Sequence, residues 1–218
     1  MLDQAVSRVK DFGADEDVVR QGDRPSDSNL ILEGFACRQK ILADGQRQIT
    51  ALHVPGDFAD LHSFVLKKMD DGVVTLTPCK VALVPHATLR RIVEGYPHLT
   101  QLLWFTTLVD AAIHREWMTG MGRRSSLGQI AHLLCELCLR LRTVGLVTDD
   151  SYQLPVTQTE LGDALGLSLV HVNRTLQDLR GQGLISWKGQ TVEMTDWEGL
   201  RQLAEFDPTY LHRDREGR

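Results

Sequence analysis

Residues 157–194 constrain this chain more than any other stretch. Thr157-Gln158-Thr159-Glu160-Leu161-Gly162-Asp163-Ala164-Leu165 is followed by Gly166-Leu167 and then by residues 168–180. After Gly181-Gln182-Gly183 comes Leu184-Ile185-Ser186-Trp187-Lys188-Gly189-Gln190-Thr191-Val192-Glu193-Met194. Thr157 and Glu160 have capping-box spacing, so each side chain can satisfy an orphan backbone N–H at a helix start. Gly166 can take φ > 0 and stop that helix, and Ser168 can cap the next. In the second helix Val172, Leu176 and Leu179 form one buried stripe. At ~100° per residue, Val170, Asn173, Arg174 and Gln177 fall on the opposite face, with His171 to one side. Ile185 and Trp187 alternate with Ser186 and Lys188, and Lys188-Gly189-Gln190 is a turn signal. The expectation is two short helices about a tight turn, then a β-hairpin.

That exposed face carries groups able to read base edges. Arg174 suits guanine, Asn173 or His171 a neighbouring base or phosphate, and Val170 a thymine methyl. Thr157, Gln158 and Lys188 would hold the phosphate backbone, and Ser168 would fix the start of the reading helix. Helix–glycine–helix pairs also occur as plain packing elements, which leaves a scaffold reading open. The order Thr-Gln-x-Glu-Leu, Ala-Leu-Gly-Leu-Ser, Val-x-Arg-Thr-Leu and Gly-Leu-Ile is more specific. It resembles the winged helix-turn-helix of the Crp/Fnr transcription regulators. Two positions depart from it. Leu169 stands where the family often has Arg, and Val170 where the cyclic-AMP receptor branch often has Glu, so that receptor's operator sequence is not implied.

Net charge is −5, and from residue 122 onward eleven Lys and Arg face thirteen Asp and Glu. A nucleic-acid binder of this kind must therefore concentrate positive charge locally, and Arg123, Arg124, Arg174, Arg180 and Lys188 are the candidates. Hydrophobic content of 42% and charged content of 24% fit a globular protein. No apolar run approaches the ~20 residues of a membrane helix, and residues 1–13 have no signal-peptide core; a cytoplasmic protein is expected. Cys37, Cys79, Cys135 and Cys138 are too few and too unevenly spaced for a disulfide framework.

Residues 18–85 read as short strands. Ala43-Asp44-Gly45 separates two runs of a hairpin, and Val73–Thr77 and Lys80–Val84 flank Pro78-Cys79. Gln21-Gly22-Asp23, Leu32-Glu33-Gly34 and Pro55-Gly56-Asp57-Phe58 resemble the β-roll of cyclic-nucleotide-binding domains over residues 15–92. In that family a Gly-Glu pair and a following Arg-Ser or Arg-Thr grip the nucleotide. Here the stretch is Asp57-Phe58-Ala59-Asp60-Leu61-His62-Ser63-Phe64, and no Arg occurs between Arg47 and Arg90. Lys67 or Lys68 cannot supply the planar fork. Tight cyclic-AMP binding is not expected, and the effector stays unidentified.

From residue 98 to 118, Leu102, Phe105, Val109, Ala112, Ile113 and Trp117 recur at helical spacing. An interdomain helix has little of its own to bury such a stripe, so pairing with a second copy is expected; in the family this helix is the dimer interface. Gly120 and Gly122 would supply a hinge. A further helix at 124–142 buries Ile130, Leu133, Leu134, Leu137 and Leu141, with Cys135 and Cys138 amid its apolar stretch, where packing is the expected role. Residues 144–154 read as a connector. Thr195 and Glu198 repeat the capping-box spacing before a short helix, and residues 212–218 form a charged tail.

The expected fold is α+β. Residues 1–94 form a jelly-roll-like β-roll sensor, 95–121 a dimerisation helix and hinge, and 122–218 a winged helix-turn-helix. The expected function is a homodimeric regulator binding a palindromic operator in double-stranded DNA, under allosteric control by the β-roll. Contact with RNA polymerase is implied by the resemblance. No cofactor or metal is expected. The competing class is a metal- or thiol-dependent enzyme using His53, Asp57, Asp60 and His62, or Cys135 and Cys138.

Overall fold

The computed structural model describes residues 5–213. Two compact units divide it, Met1–Leu108 and Val109–Arg218.

The first unit is built from antiparallel strands. They are β1 (Arg8–Phe12), β2 (Asp17–Val19), β3 (Asp27–Glu33), β4 (Ala36–Ile41) and β5 (Arg47–His53), then a short helix α1 (Ser63–Leu66), then β6 (Gly72–Thr75) and β7 (Cys79–Pro85). One sheet runs β1-β7-β3 and the other β2-β6-β4-β5. The β4–β5 hairpin turns at Gly45, with φ 86°, as expected. β6 and β7, adjacent in sequence, belong to different sheets. β1 precedes the run of strands expected at 18–85; its alternation is hidden because four of its five residues are exposed. Phe12, Val19, Ile31, Ala36, Ala59, Met69, Val73, Cys79 and Val81 fill the core. Gly34 links β3 to β4 with φ 88°, and a Cβ there would lie 2.7 Å from Cys79 Sγ, so only glycine fits.

α2 (His86–Gly95) buries Leu89 and Ile92 against Val84, with Leu99 and Leu103 of the next helix packed alongside. That helix, α3 (Pro97–Arg123), is longer than expected and runs through Gly120 and Gly122 without a break. Two glycines cost only ~2 kcal/mol in a helix this long, and its C-terminal half is braced from the side. Trp117 Nε1 donates to Glu136 Oε2 at 3.1 Å, and Arg124 is paired with Glu116. The chain breaks instead at Ser125, whose hydroxyl accepts from Gly128 N and caps α4 (Ser126–Thr143).

The second unit continues with β8 (Val147–Thr148), β9 (Ser151–Gln153), α5 (Gln158–Leu165), α6 (Leu169–Gly181), β10 (Ser186–Lys188), β11 (Thr191–Glu193) and α7 (Trp197–Leu203). The expected connector at 144–154 is in fact a hairpin. Asp149 and Asp150 turn it with φ 47° and 58°, and it extends the wing into a sheet of order β10-β11-β9-β8. α7 is capped by Asp196, whose carboxylate accepts from Gly199 N at 2.9 Å. Thr195 does not cap it: its hydroxyl donates to Gly183 O at 2.7 Å, and Glu198 pairs with Arg201. Asp207 then caps a 3-10 turn at Pro208–Leu211. Most of the expected charged tail lies outside the described residues. Among the described residues, no helix is long and apolar enough to cross a membrane.

Candidate nucleic-acid interface

The two-helix element forms as its local chemistry dictates. Thr157 Oγ1 accepts from Glu160 N at 3.2 Å, and Thr157 N donates to Glu160 Oε2 at 2.6 Å. Gly166 closes α5 with φ 66°. Ser168 caps α6 by accepting from His171 N at 3.3 Å. Val172, Leu176 and Leu179 are buried, and Thr175 Oγ1 meets Ser126 Oγ at 3.2 Å, which seats α6 on α4. Gly162 was not singled out by sequence, yet a Cβ there would lie 2.5 Å from Leu167 O. A side chain at that position would push the turn apart; the only sequence signal was a glycine inside a helical pattern.

The opposite face of α6 presents Val170, Asn173, Arg174 and Gln177, all exposed. Asn173 Nδ2 donates to Gln158 Oε1 at 3.2 Å, and Gln177 Nε2 donates to Asn173 Oδ1 at 3.0 Å. These amides form a chain from the start of α5 along α6, fixing Asn173 in place. His171 is turned back on its own cap, Nδ1 standing 2.9 Å from Ser168 Oγ. Arg174 is exposed and holds no ion pair among the described residues. Lys188 is exposed at the tip of the hairpin, where Gly189 turns with φ 60°. Arg123 and Arg180 are exposed, whereas Arg124 is committed to Glu116 and drops out of the positive set.

The other candidate sites come out differently. In the expected dimer stripe, Ala112, Ile113 and Trp117 are buried inside this chain and Leu102, Phe105 and Val109 half-buried. In the first unit it is Leu99 and Leu103, rather than Leu102 and Phe105, that pack on the core. The side left open carries Trp104, Leu108 and Met118, respectively 72%, 63% and 68% exposed, at i, i+4 and i+14.

His53, Asp57, Asp60 and His62 are not gathered at one point. Asp57 Oδ2 accepts from Val54 N at 2.9 Å, with His53 Nδ1 3.9 Å away. Asp60 is buried and accepts from Asn29 N at 2.6 Å and Asn29 Nδ2 at 2.8 Å. Burial pushes its carboxyl up to about 6 against these donors. His62 instead lies beside Arg38, whose Nη1 is 3.4 Å from its Nδ1, while Arg38 Nε is 3.4 Å from Asp71 Oδ2. Sequence reasoning looked for arginine only downstream of Arg47; Arg38, on β4, is the buried cation of this region. Cys135 and Cys138 are fully buried in mid-helix, and burial raises both thiols away from the reactive thiolate.

Residues 128–203 match the Crp-like helix-turn-helix domain and residues 9–96 the cyclic nucleotide-binding domain. The nitrogen fixation regulation protein FixK of Bradyrhizobium diazoefficiens is 30% identical over 199 residues, 88% of this chain and 80% of that protein. The chain belongs to the Crp/Fnr family. Another Crp/Fnr relative, the transcriptional activator protein FnrL of Cereibacter sphaeroides, is 27% identical over 208 residues, 94% of this chain and 83% of that one. The structure of FixK2 from Bradyrhizobium japonicum shares the fold with a TM-score of 0.82 at 24% identity, covering 90% of this chain and 96% of that chain. As a Crp/Fnr protein this chain is a DNA-binding transcription regulator, and the enzyme alternative is not supported.

Proposed function

We propose that this regulator binds as a homodimer to an imperfect palindrome, each α6 entering one major groove. The observation that carries this is Arg174, exposed and without an ion pair among the described residues, on the face of α6 opposite its buried stripe. A two-fold dimer places half-sites about one helical turn apart, ~34 Å centre to centre. Arg174 donates two bonds to guanine O6 and N7, Asn173 and Gln177 contact neighbouring edges, and Thr157, Gln158 and Lys188 hold phosphates. Ser168 and His171 set the start of the helix, with His171 within reach of a phosphate. The open apolar side of α3 at Trp104, Leu108 and Met118 is the second copy's docking face, since a helix apolar on two sides has only one side covered in a single chain.

The β-roll controls the DNA-binding unit and responds to something other than a cyclic nucleotide. Arg38, the cation of its interior, already faces Asp71 and His62, and Asp60 adds negative charge nearby. A cyclic phosphate would meet carboxylates there. FnrL is named a transcriptional activator, and by that likeness the bound dimer contacts RNA polymerase, in the cytoplasm where the chromosome lies.

The test is a titration of Arg174→Ala and Lys188→Ala against an operator selected from random duplexes, and against its single-base variants. Arg174→Ala should cost roughly 1–3 kcal/mol and relax preference at one base pair. Lys188→Ala should weaken all sequences alike and reduce the salt slope by about one. Unchanged specificity in Arg174→Ala at every position would remove α6 as the reader.

A further inference from the structure

Val170 is 77% exposed, more than any other large hydrophobic side chain described in this chain, and Leu169 beside it is 54% exposed. Both stand on the first turn of α6, a turn with no acidic residue. Val170 precedes Arg174 by four residues, so the two project from the same side of the helix one turn apart. Adjacent exposed apolar side chains, unlike scattered single ones, mark a surface made for contact. On a helix face otherwise carrying Asn173, Arg174 and Gln177, an apolar pair needs an apolar partner within a polar groove. The major groove offers one such group on unmodified base pairs, the C5-methyl of thymine. A carboxylate in this turn would instead accept from the amino group of cytosine, and none is present.

We propose that Leu169 and Val170 form an apolar reader of C5-methyl groups, making this regulator select thymine at the base pairs next to the guanine bound by Arg174. This rests on α6 being the helix that enters the groove. It differs from hydrogen-bond readout in one respect: what is recognised is the methyl group, whichever base bears it. Removing the methyl, by replacing thymine with uracil, leaves every hydrogen-bonding group of the base pair unchanged. A methyl buried against Val170 contributes about 0.8 kcal/mol, so each such replacement should weaken binding about fourfold. Replacing thymine by cytosine should weaken it further, and 5-methylcytosine at the same place should recover part of the loss.

The experiment uses the full-length protein and a pool of duplexes with randomised centres. The operator recovered from the pool is resynthesised with uracil, cytosine or 5-methylcytosine at each thymine in turn. The expected result is a fourfold loss on uracil substitution at one or two adjacent positions of each half-site. In the double variant Leu169→Ala with Val170→Ala that dependence should disappear while the preference for guanine beside it remains. Both side chains are exposed and alanine favours helix, so the variant folds; its circular dichroism and unfolding midpoint check this. If every uracil substitution leaves affinity within twofold, the methyl reader is wrong although sequence-specific binding stands. If wild type recovers no preferred sequence at all, the reading of α6 as the recognition helix has failed first. If the double variant keeps the full uracil penalty, the methyl is read by another residue and the assignment is overturned.

Discussion

Trp117 on α3 donates its indole N–H to Glu136 on α4 across 3.1 Å, and that carboxylate is completely buried. Glu136 also accepts from Tyr210 Oη at 2.9 Å and from Arg140 Nη1 at 3.0 Å. Burial pushes its carboxyl up, while Arg140 and the two neutral donors hold it down. One side chain thus ties α3, α4 and the 3-10 turn together, and the C-terminal half of α3 is fixed to the DNA-binding unit. Glu136→Ala would take one buried acceptor from three donors and should lower stability by about 3–5 kcal/mol. Trp117→Phe removes a single donor and should cost nearer ~1 kcal/mol for the bond itself. Urea unfolding of both variants checks the order.

The open side of α3 predicts the oligomeric state. Trp104→Glu combined with Leu108→Glu should give folded monomers by light scattering, because both side chains are exposed in the single chain. Charge at Ile113, which is buried, should instead lower the unfolding midpoint. A double variant that stays dimeric would place the interface elsewhere.

Stability should depend on pH with opposite sign in the two units. Asp60 is pushed from 3.8 up to about 6 by burial, so the folded state binds its proton more tightly. Its contribution is present in full below pH 3.8 and is lost as pH rises through 6, roughly 3 kcal/mol in all. His132 is held from 6.5 down to about 4 by burial and by the charge of Arg124. Its contribution is present above pH 6.5 and is lost as pH falls through 4, again roughly 3 kcal/mol. Between pH 4 and 6, Asp60→Asn should therefore remove a downward slope of stability with rising pH, and His132→Gln an upward one. Denaturant unfolding across that window measures both.

Gly162→Ala should loosen the turn between α5 and α6. Its Cβ would sit 2.5 Å from Leu167 O, a backbone atom that cannot rotate away. Overpacking of this kind costs roughly 1–3 kcal/mol. The expected outcome is at least a tenfold loss of operator affinity with little change in the β-roll. Hydrogen exchange localised to residues 158–181 checks where the damage falls.

Sequence was sufficient wherever the deciding interaction is local. The capping box of Thr157 and Glu160, the stop at Gly166, the cap at Ser168 and the Val172–Leu176–Leu179 stripe span at most a few turns, so periodicity and cap chemistry determined them. Among the glycine turns, Gly45 follows the same logic. Other features depend on partners far along the chain, and only the tertiary structure decided them. Half of the α3 stripe expected as a dimer face, Ala112, Ile113 and Trp117, is covered by the chain itself, while Trp104, Leu108 and Met118 are open. The expected hinge at Gly120 and Gly122 stayed helical because Glu116 and Trp117 are held by Arg124 and Glu136. Arg38 became the cation of the roll's interior because pairing of β4 with β6 brings it to Asp71, and the start of α1 brings His62 beside it. Spacing along a chain records which side chains share a face; which face is covered depends on what folds back against it, and that is a property of the whole molecule.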